Sequence, residues 1–331
     1  MFSFRTPHVL TLAAALAFGA AVPAGAQTLG TDFAADYSVT SLGSVAGLPS
    51  NYGGLTFIGT DTLLIGGQAN TASGSLYTIG VLRDADQHIV GFSGTAQRYG
   101  GDGATIGEYN DGGVVFGPGG VLFTARWPIN GLGQTRPGSI DEDKIIDLAP
   151  MGVASSLAAI NFVPAGFAGA GQIKLVSWSL GQWYSASLAP DGAGTYDLAG
   201  LAQVDLDPDA AGIQSVPGGP EGFVYIDGAN AAFGADSMLI SEYSAGMVGA
   251  YELDADGNPL VATRRTFISG LSGAEGAAID PLTGDFLFST FGGGSRIVRV
   301  SGFTAPPIPE PATWAMWIAG LLAVGRRLRR A

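Results

Sequence analysis

The chain has 331 residues, no cysteine, two histidines and a formal net charge of −13 at pH 7. Disulfides, thiolate nucleophiles and Cys-ligated metals are therefore excluded, and so is a multi-histidine metal site. Most of the acid lies between the ends. The region 27–309 carries about −17, which disfavours nucleic acid and anionic lipid as electrostatic partners.

The N-terminus has the layout of an export signal. Arg5 precedes an apolar run from Val9 to Val22, and Ala24-Gly25-Ala26 supplies a small-x-small cleavage site. Residues 1–26 are expected to be a signal peptide cut by signal peptidase between Ala26 and Gln27. The mature protein then starts outside the cytoplasm, where a domain without disulfides must rely on its core; about 280 residues are enough for that.

Between Thr28 and Phe303 the sequence is rich in Gly and lacks long apolar stretches of helical spacing; Ser155–Ile160 comes nearest. Short apolar runs broken by Gly, Asp and Asn predict many small antiparallel strands. They recur in a fixed order: "GGLTFIGTDTLLIGG" from Gly53, "DGGVVFGPGGVLFTARW" from Asp111, "LAAINFVPAGFAGAGQIKLVSWSL" from Leu157, "PEGFVYIDGANAAFGADSMLISEYS" from Pro220 and "AEGAAIDPLTGDFLFSTFGGG" from Ala274. Each unit has a small-residue start, an apolar strand, a turn and a second apolar strand.

Equivalent starts at Gly54, Gly112, Ala158, Gly222 and Gly276 give a mean period of about 55 residues, which signals blades of a β-propeller. The expectation is an all-β propeller of five blades, with six as the alternative count, over residues 27–304. Small residues suit innermost strands crowded about an axis. Phe57, Ile58, Phe116, Phe162, Phe223, Tyr225, Phe286 and Phe288 are expected to pack between blades. The last unit ends at Val300 after three strands, and the single strand near Tyr37–Leu42 is expected to complete it and close the ring. A β-sandwich or jelly roll is the competing architecture, and the repeat argues against it.

Candidate chemistry is sparse. After the signal peptide the only histidine is His88, in a predicted hairpin turn, and no G-x-S-x-G serine accompanies it. "DLDPDAAG" starts like a calcium loop at Asp205, Asp207 and Asp209. It has Ala210 at the glycine position and Val216 at the glutamate position. Asp254–Asn258 reads as a hairpin turn. One constellation remains: Glu221 and Glu275 begin two innermost strands, and Asp111 holds the matching place in a third. Three carboxylates at one mouth suit a divalent cation such as calcium, without histidine. They equally suit a structural role, accepting backbone N–H bonds that hold the blades together. The Pro-Glu-Gly start is also similar to the Glu-Gly-Pro strand of gluconolactonase-type propellers; that resemblance implies a glutamate helping to hold a divalent metal.

The C-terminus has three parts in order: Pro309-Glu310-Pro311, an uncharged run from Ala312 to Gly325, and the cluster Arg326, Arg327, Arg329 and Arg330. Fourteen residues of helix span roughly 21 Å at about 1.5 Å per residue, short of the roughly 30 Å of bilayer hydrocarbon. The two prolines keep the preceding segment extended and readable by a protease. Residues 305–331 resemble the PEP-CTERM sorting signal of Gram-negative bacteria. The resemblance implies a short transmembrane helix with its arginines cytoplasmic, inner-membrane retention, and processing near Pro309-Glu310-Pro311 by an exosortase, a multi-pass membrane protease. Release to the cell surface or an exopolysaccharide (biofilm) matrix then follows.

Two functions fit. The first is a non-catalytic surface or matrix protein whose acidic propeller binds glycan or other surface proteins. The second is an extracytoplasmic metal-dependent hydrolase or lactonase using the three carboxylates. Mass spectrometry of the mature protein from a host with the matching exosortase should find a chain that starts at Gln27 and lacks residues 312–331. Glu310→Ala should accumulate as a heavier, membrane-held form. A mature wild-type protein that keeps residues 312–331 identifies the tail as a lasting anchor instead.

Overall fold

The computed structural model of the chain describes residues 27–303. The expected signal peptide up to Ala26 and the expected sorting tail with Pro309, Glu310, Pro311 and its arginines lie outside the described residues. Twenty-one strands and three short 3-10 turns make up the regular structure of the described residues. Among the described residues, no helix is long and apolar enough to cross a membrane.

The strands form five antiparallel sheets arranged in a ring, a five-bladed β-propeller. Blade 1 holds β3 (Leu55–Ile58), β4 (Thr62–Gly67), β5 (Ser75–Arg83) and β6 (Ile89–Arg98). Blade 2 holds β7 (Asn110–Phe116), β8 (Leu122–Arg126), β9 (Gly131–Thr135) and β10 (Lys144–Asp147), and blade 3 holds β11 (Leu157–Phe162), β12 (Ile173–Ser177), β13 (Trp183–Pro190) and β14 (Tyr196–Val204). Blade 4 runs β15 (Pro220–Ile226), β16 (Ser237–Glu242), β17 (Met247–Glu252) and β18 (Arg265–Ser269), with β1 (Thr28–Leu29) added outside. Blade 5 has β19 (Ala274–Ile279), β20 (Phe286–Thr290) and β21 (Ile297–Ser301), completed by β2 (Ser38–Gly43).

The second strand of each blade explains the Leu-Leu-Ile and Phe-Leu-Phe runs. Side chains alternate across a strand, and here both faces of a blade are covered by neighbours. Leu63 and Ile65 of β4 pack toward blade 5 while Leu64 packs toward blade 2. Phe286 and Phe288 of β20 face blade 4, and Leu287 faces blade 1. Five apolar clusters fill the five interfaces between blades. Of the expected interblade residues, Phe162, Phe223, Tyr225, Phe286 and Phe288 are buried, and Phe57, Ile58 and Phe116 pack against the clusters partly exposed. Ser155–Ile160 leads into strand β11 rather than a helix.

At the axis the backbones themselves meet. A Cβ on Gly112 of blade 2 would lie 2.7 Å from Gly222 N of blade 4, and one on Gly276 of blade 5 would lie 2.5 Å from Gly54 Cα of blade 1. Side chains do not fit there, which is why glycine recurs. The axis is therefore plugged, as the small residues of the inner strands suggest, and the ring presents two separate mouths.

The N-terminal strand closes the ring as expected, with Ser38 opposite Ser301 and Val39 opposite Val300. The segment before it adds an unforeseen lock. Phe33 and Tyr37 enter an aromatic cluster with Phe233, Phe267 and Phe303, and Tyr37 Oη donates to Ala231 O at 2.7 Å. Deleting residues 28–45 removes these rings and bares the edges of β18 and β21. It should lower the melting temperature of the whole ring in one transition. Phe33→Ala alone should cost about 3–5 kcal/mol in urea unfolding, as fully buried aromatics do. A deletion variant melting with the intact domain would count against closure.

Candidate functional site

A hydrogen bond repeated in every blade sets the geometry of one mouth. The residue just after the second strand, or one further on in blade 1, donates its N–H to a carbonyl in the segment that leads into the inner strand, directly before its first residue in blades 2 to 5 and four residues before it in blade 1. The pairs are Ala69 to Asn51, Trp127 to Tyr109, Trp178 to Ser156, Tyr243 to Gly219 and Phe291 to Gly273, at 2.8–3.0 Å. Counting on from those carbonyls, Gly53, Asp111, Ala158, Glu221 and Glu275 occupy the same place in the five blades. Ala158, which sequence alone aligned with the axial glycines, thus stands with the acids. The ring position is glycine, aspartate, alanine, glutamate, glutamate in turn.

Asp111, Glu221 and Glu275 do meet. All three are buried, and one oxygen from each lies within 4.8 Å of the other two. The Asn70 amide, with its nitrogen toward the cluster, donates to Asp111 Oδ1 at 2.9 Å and to Asn110 O at 3.2 Å. Beyond that the carboxyls are poorly served: when ionised, Asp111 Oδ2, Glu221 Oε2 and both Glu275 oxygens have no hydrogen-bond donor among the described residues, and Asp111 and Glu275 bond each other only by sharing a proton. No described Lys, Arg or His faces them as a counter-charge. Burial raises the Asp111 carboxyl to about 7. Burial, and then the neighbouring acids, push Glu221 and Glu275 well above the ordinary carboxylate range.

Aromatic side chains stand round this cluster, and sequence reasoning missed them. Trp127, Trp178, Tyr243 and Phe291 come from blades 2 to 5, each partly exposed. Neighbours meet edge to face: Trp127–Trp178 at 6.3 Å and 79°, Trp178–Tyr243 at 6.3 Å and 79°, Tyr243–Phe291 at 5.9 Å and 73°. Such T-shaped pairs are favoured by the ring quadrupoles. Exposed Ile129 and Leu180 extend the apolar rim on the loops after Trp127 and Trp178. The signal was present in "TARW", "LVSW", "LISEY" and "LFSTF": an aromatic directly after each second strand. Blade 1 breaks the collar with Ala69, flanked by Gln68 and Asn70 at φ 48° and 67°.

The other candidates are structural. His88 Nδ1 lies 2.7 Å from Asp285 Oδ2, tying the blade 1 hairpin to blade 5. Asp205 Oδ1 accepts from Asp207 N and Gln214 N, which makes a turn rather than a calcium loop. Asp254 Oδ1 likewise accepts from Asp256 N and Asn258 N in the predicted hairpin. The opposite mouth is a separate concavity bounded by Phe162, Tyr225, Asp227, Ile279 and Phe303.

The raised carboxyls fix a pH response for the cation-free protein. The folded ring keeps protons on Asp111 where the unfolded chain, with its value near 3.8, has lost them. Stability is then full below pH 4 from this source and falls as pH rises toward about 7, with the two glutamates extending the fall upward. Thermal melts in chelator should show a midpoint that declines as pH rises from 5 through 7.5; Asp111→Asn should flatten the part up to about pH 7, and Glu221→Gln/Glu275→Gln the part above it. A flat wild-type profile would show that the acids are not held protonated.

No protein-family model and no curated protein matches the chain. Solved structures of similar fold include a putative oxidoreductase (glucose dehydrogenase) from Thermus thermophilus, at 14% identity and TM-score 0.44, covering 80% of this chain and 100% of that one. The glutaminyl cyclase of Myxococcus xanthus is 13% identical with TM-score 0.43, covering 80% and 95%. An auxiliary nutrient binding protein from Bacteroides ovatus is 12% identical with TM-score 0.43, covering 80% and 76%. These are likenesses of fold alone.

Proposed function

We propose that the protein is an exported, non-catalytic propeller, routed by its PEP-CTERM-like tail to the cell surface or extracellular matrix, where its aromatic mouth binds glycan. The collar carries this assignment. Four partly exposed aromatic rings held at the ends of rigid strands offer flat apolar faces at little entropic cost. The acidic charge of the domain favours neutral or amino sugars over polyanions.

The last described residue, Phe303, borders the mouth opposite the collar. The hydrolase or lactonase alternative fits the geometry less well. A catalytic metal needs a position open to substrate, whereas Asp111, Glu221 and Glu275 are at most 3% exposed beneath the collar.

Calorimetric titration of the mature domain with neutral exopolysaccharide fragments should give saturable binding. Trp127→Ala and Trp178→Ala should each weaken it about tenfold or more, worth about 1.4 kcal/mol, without lowering the melting temperature to match. Unchanged affinity in both variants would remove the collar from the binding site. Turnover of a sugar lactone by the wild type would reinstate the enzyme.

A further inference from the structure

We propose that Asp111, Glu221 and Glu275 together hold one calcium ion on the propeller axis, with the Asn70 amide oxygen as a fourth ligand. The inference is independent of what the collar binds. It starts from the four carboxyl oxygens that have no donor when the acids are ionised, although their side chains are fully buried or nearly so. Elsewhere each buried acid has a basic side chain against it, Arg264 on Glu242, Arg83 on Asp280, and His88 and Arg299 on Asp285, and leaving carboxyl oxygens unmet is costly. Here they face one another across a gap into which no described basic side chain reaches.

The dimensions suit a cation. The three ligand oxygens lie within 4.8 Å of one another, and two oxygens on opposite sides of a calcium ion stand about 4.6–5.2 Å apart. An all-oxygen donor set selects a hard ion over zinc or copper. Between the hard ions, magnesium keeps several waters and demands a regular octahedron of short bonds, whereas calcium accepts irregular cages of protein oxygens. With the three acids at most 3% exposed, the site has little room for retained water, so calcium is favoured.

Blade 1 supplies both the fourth ligand and the way in. Its ring positions hold Gly53 and Ala69, so neither an acid nor an aromatic closes the mouth on that side. Asn70 stands in that gap with its amide 2.9 Å from Asp111 Oδ1. Turning the amide over exchanges its nitrogen for its oxygen, converting a donor to one acid into a ligand for the ion. Asn51, Gln68 and Asn70 all have positive φ, a backbone state that asparagine tolerates better than most residues. The ion would tie blades 1, 2, 4 and 5 at the one place where they converge.

The test uses the mature protein stripped with chelator, then given calcium or magnesium chloride separately. Equilibrium dialysis should find one calcium per chain, with magnesium bound at least tenfold more weakly. At calcium a hundred times its dissociation constant, the melting temperature should rise by about 5 °C or more. Glu221→Gln/Glu275→Gln keeps shape while removing charge, so it should fold, melting no lower than stripped wild type, and show no calcium shift. Asn70→Ala should keep the three acids and weaken calcium about tenfold. The proposal is overturned if stripped wild type neither binds calcium nor shifts, or if the double variant shifts as fully as wild type. A calcium shift that leaves glycan binding unaffected upholds the site whatever becomes of the proposed function, and glycan binding without calcium uptake separates the two the other way.

Discussion

Five inner strands converge on an axis too narrow for side chains, and that crowding governs the rest of the molecule. Gly112 and Gly222 approach so closely that a single added carbon would overlap the facing backbone. Because residues at the axis must be small, each blade can put a functional side chain only just before the contact. There the strands have begun to diverge and the mouth opens. Asp111, Glu221 and Glu275 sit one residue ahead of Gly112, Gly222 and Gly276, so the same packing that demands glycine also drives the three acids together.

Crowding at the centre leaves the periphery to be held by apolar contact and by closure. The second strands are buried on both faces, so apolar residues stand on both sides of each, as in other fully covered strands. The ring is closed by chain from opposite ends: β2 pairs with β21, and β1 adds to β18. Phe33 and Tyr37 anchor the stretch between them. This leaves fewer bare strand edges, the usual route by which sheets aggregate.

Other buried charges in the domain show what a satisfied group looks like here. Glu242 receives Arg264 and the Tyr251 hydroxyl, the latter at 2.6 Å. Asp280 takes a two-pronged contact from Arg83 at 2.7 and 2.9 Å. Lys174, lowered by burial to about 8, still donates to Gln172, Ser185 and Asn258. Against these, four oxygens without a donor in one axial cluster are out of character. A missing counter-charge accounts for that, since no described basic side chain acts on the three acids.

Periodicity was legible in the sequence. The five unit starts, the alternation of apolar strands with Gly- and Asp-rich turns, and the lone strand left over at the N-terminus specify a closed five-bladed ring, since each follows from local strand chemistry repeated along the chain. The convergence of Asp111, Glu221 and Glu275 was legible too, because equivalent positions in a propeller share a mouth. Three features needed the tertiary structure. Ala158 joins the acid ring only through the hydrogen-bond register. The axis is plugged because backbones from non-adjacent blades touch across it. Trp127, Trp178, Tyr243 and Phe291 form one collar although they are dozens of residues apart in sequence. Spacing along a chain determines which residues are equivalent; how closely equivalent residues approach, and whether a partner reaches them, is decided only when the ring shuts.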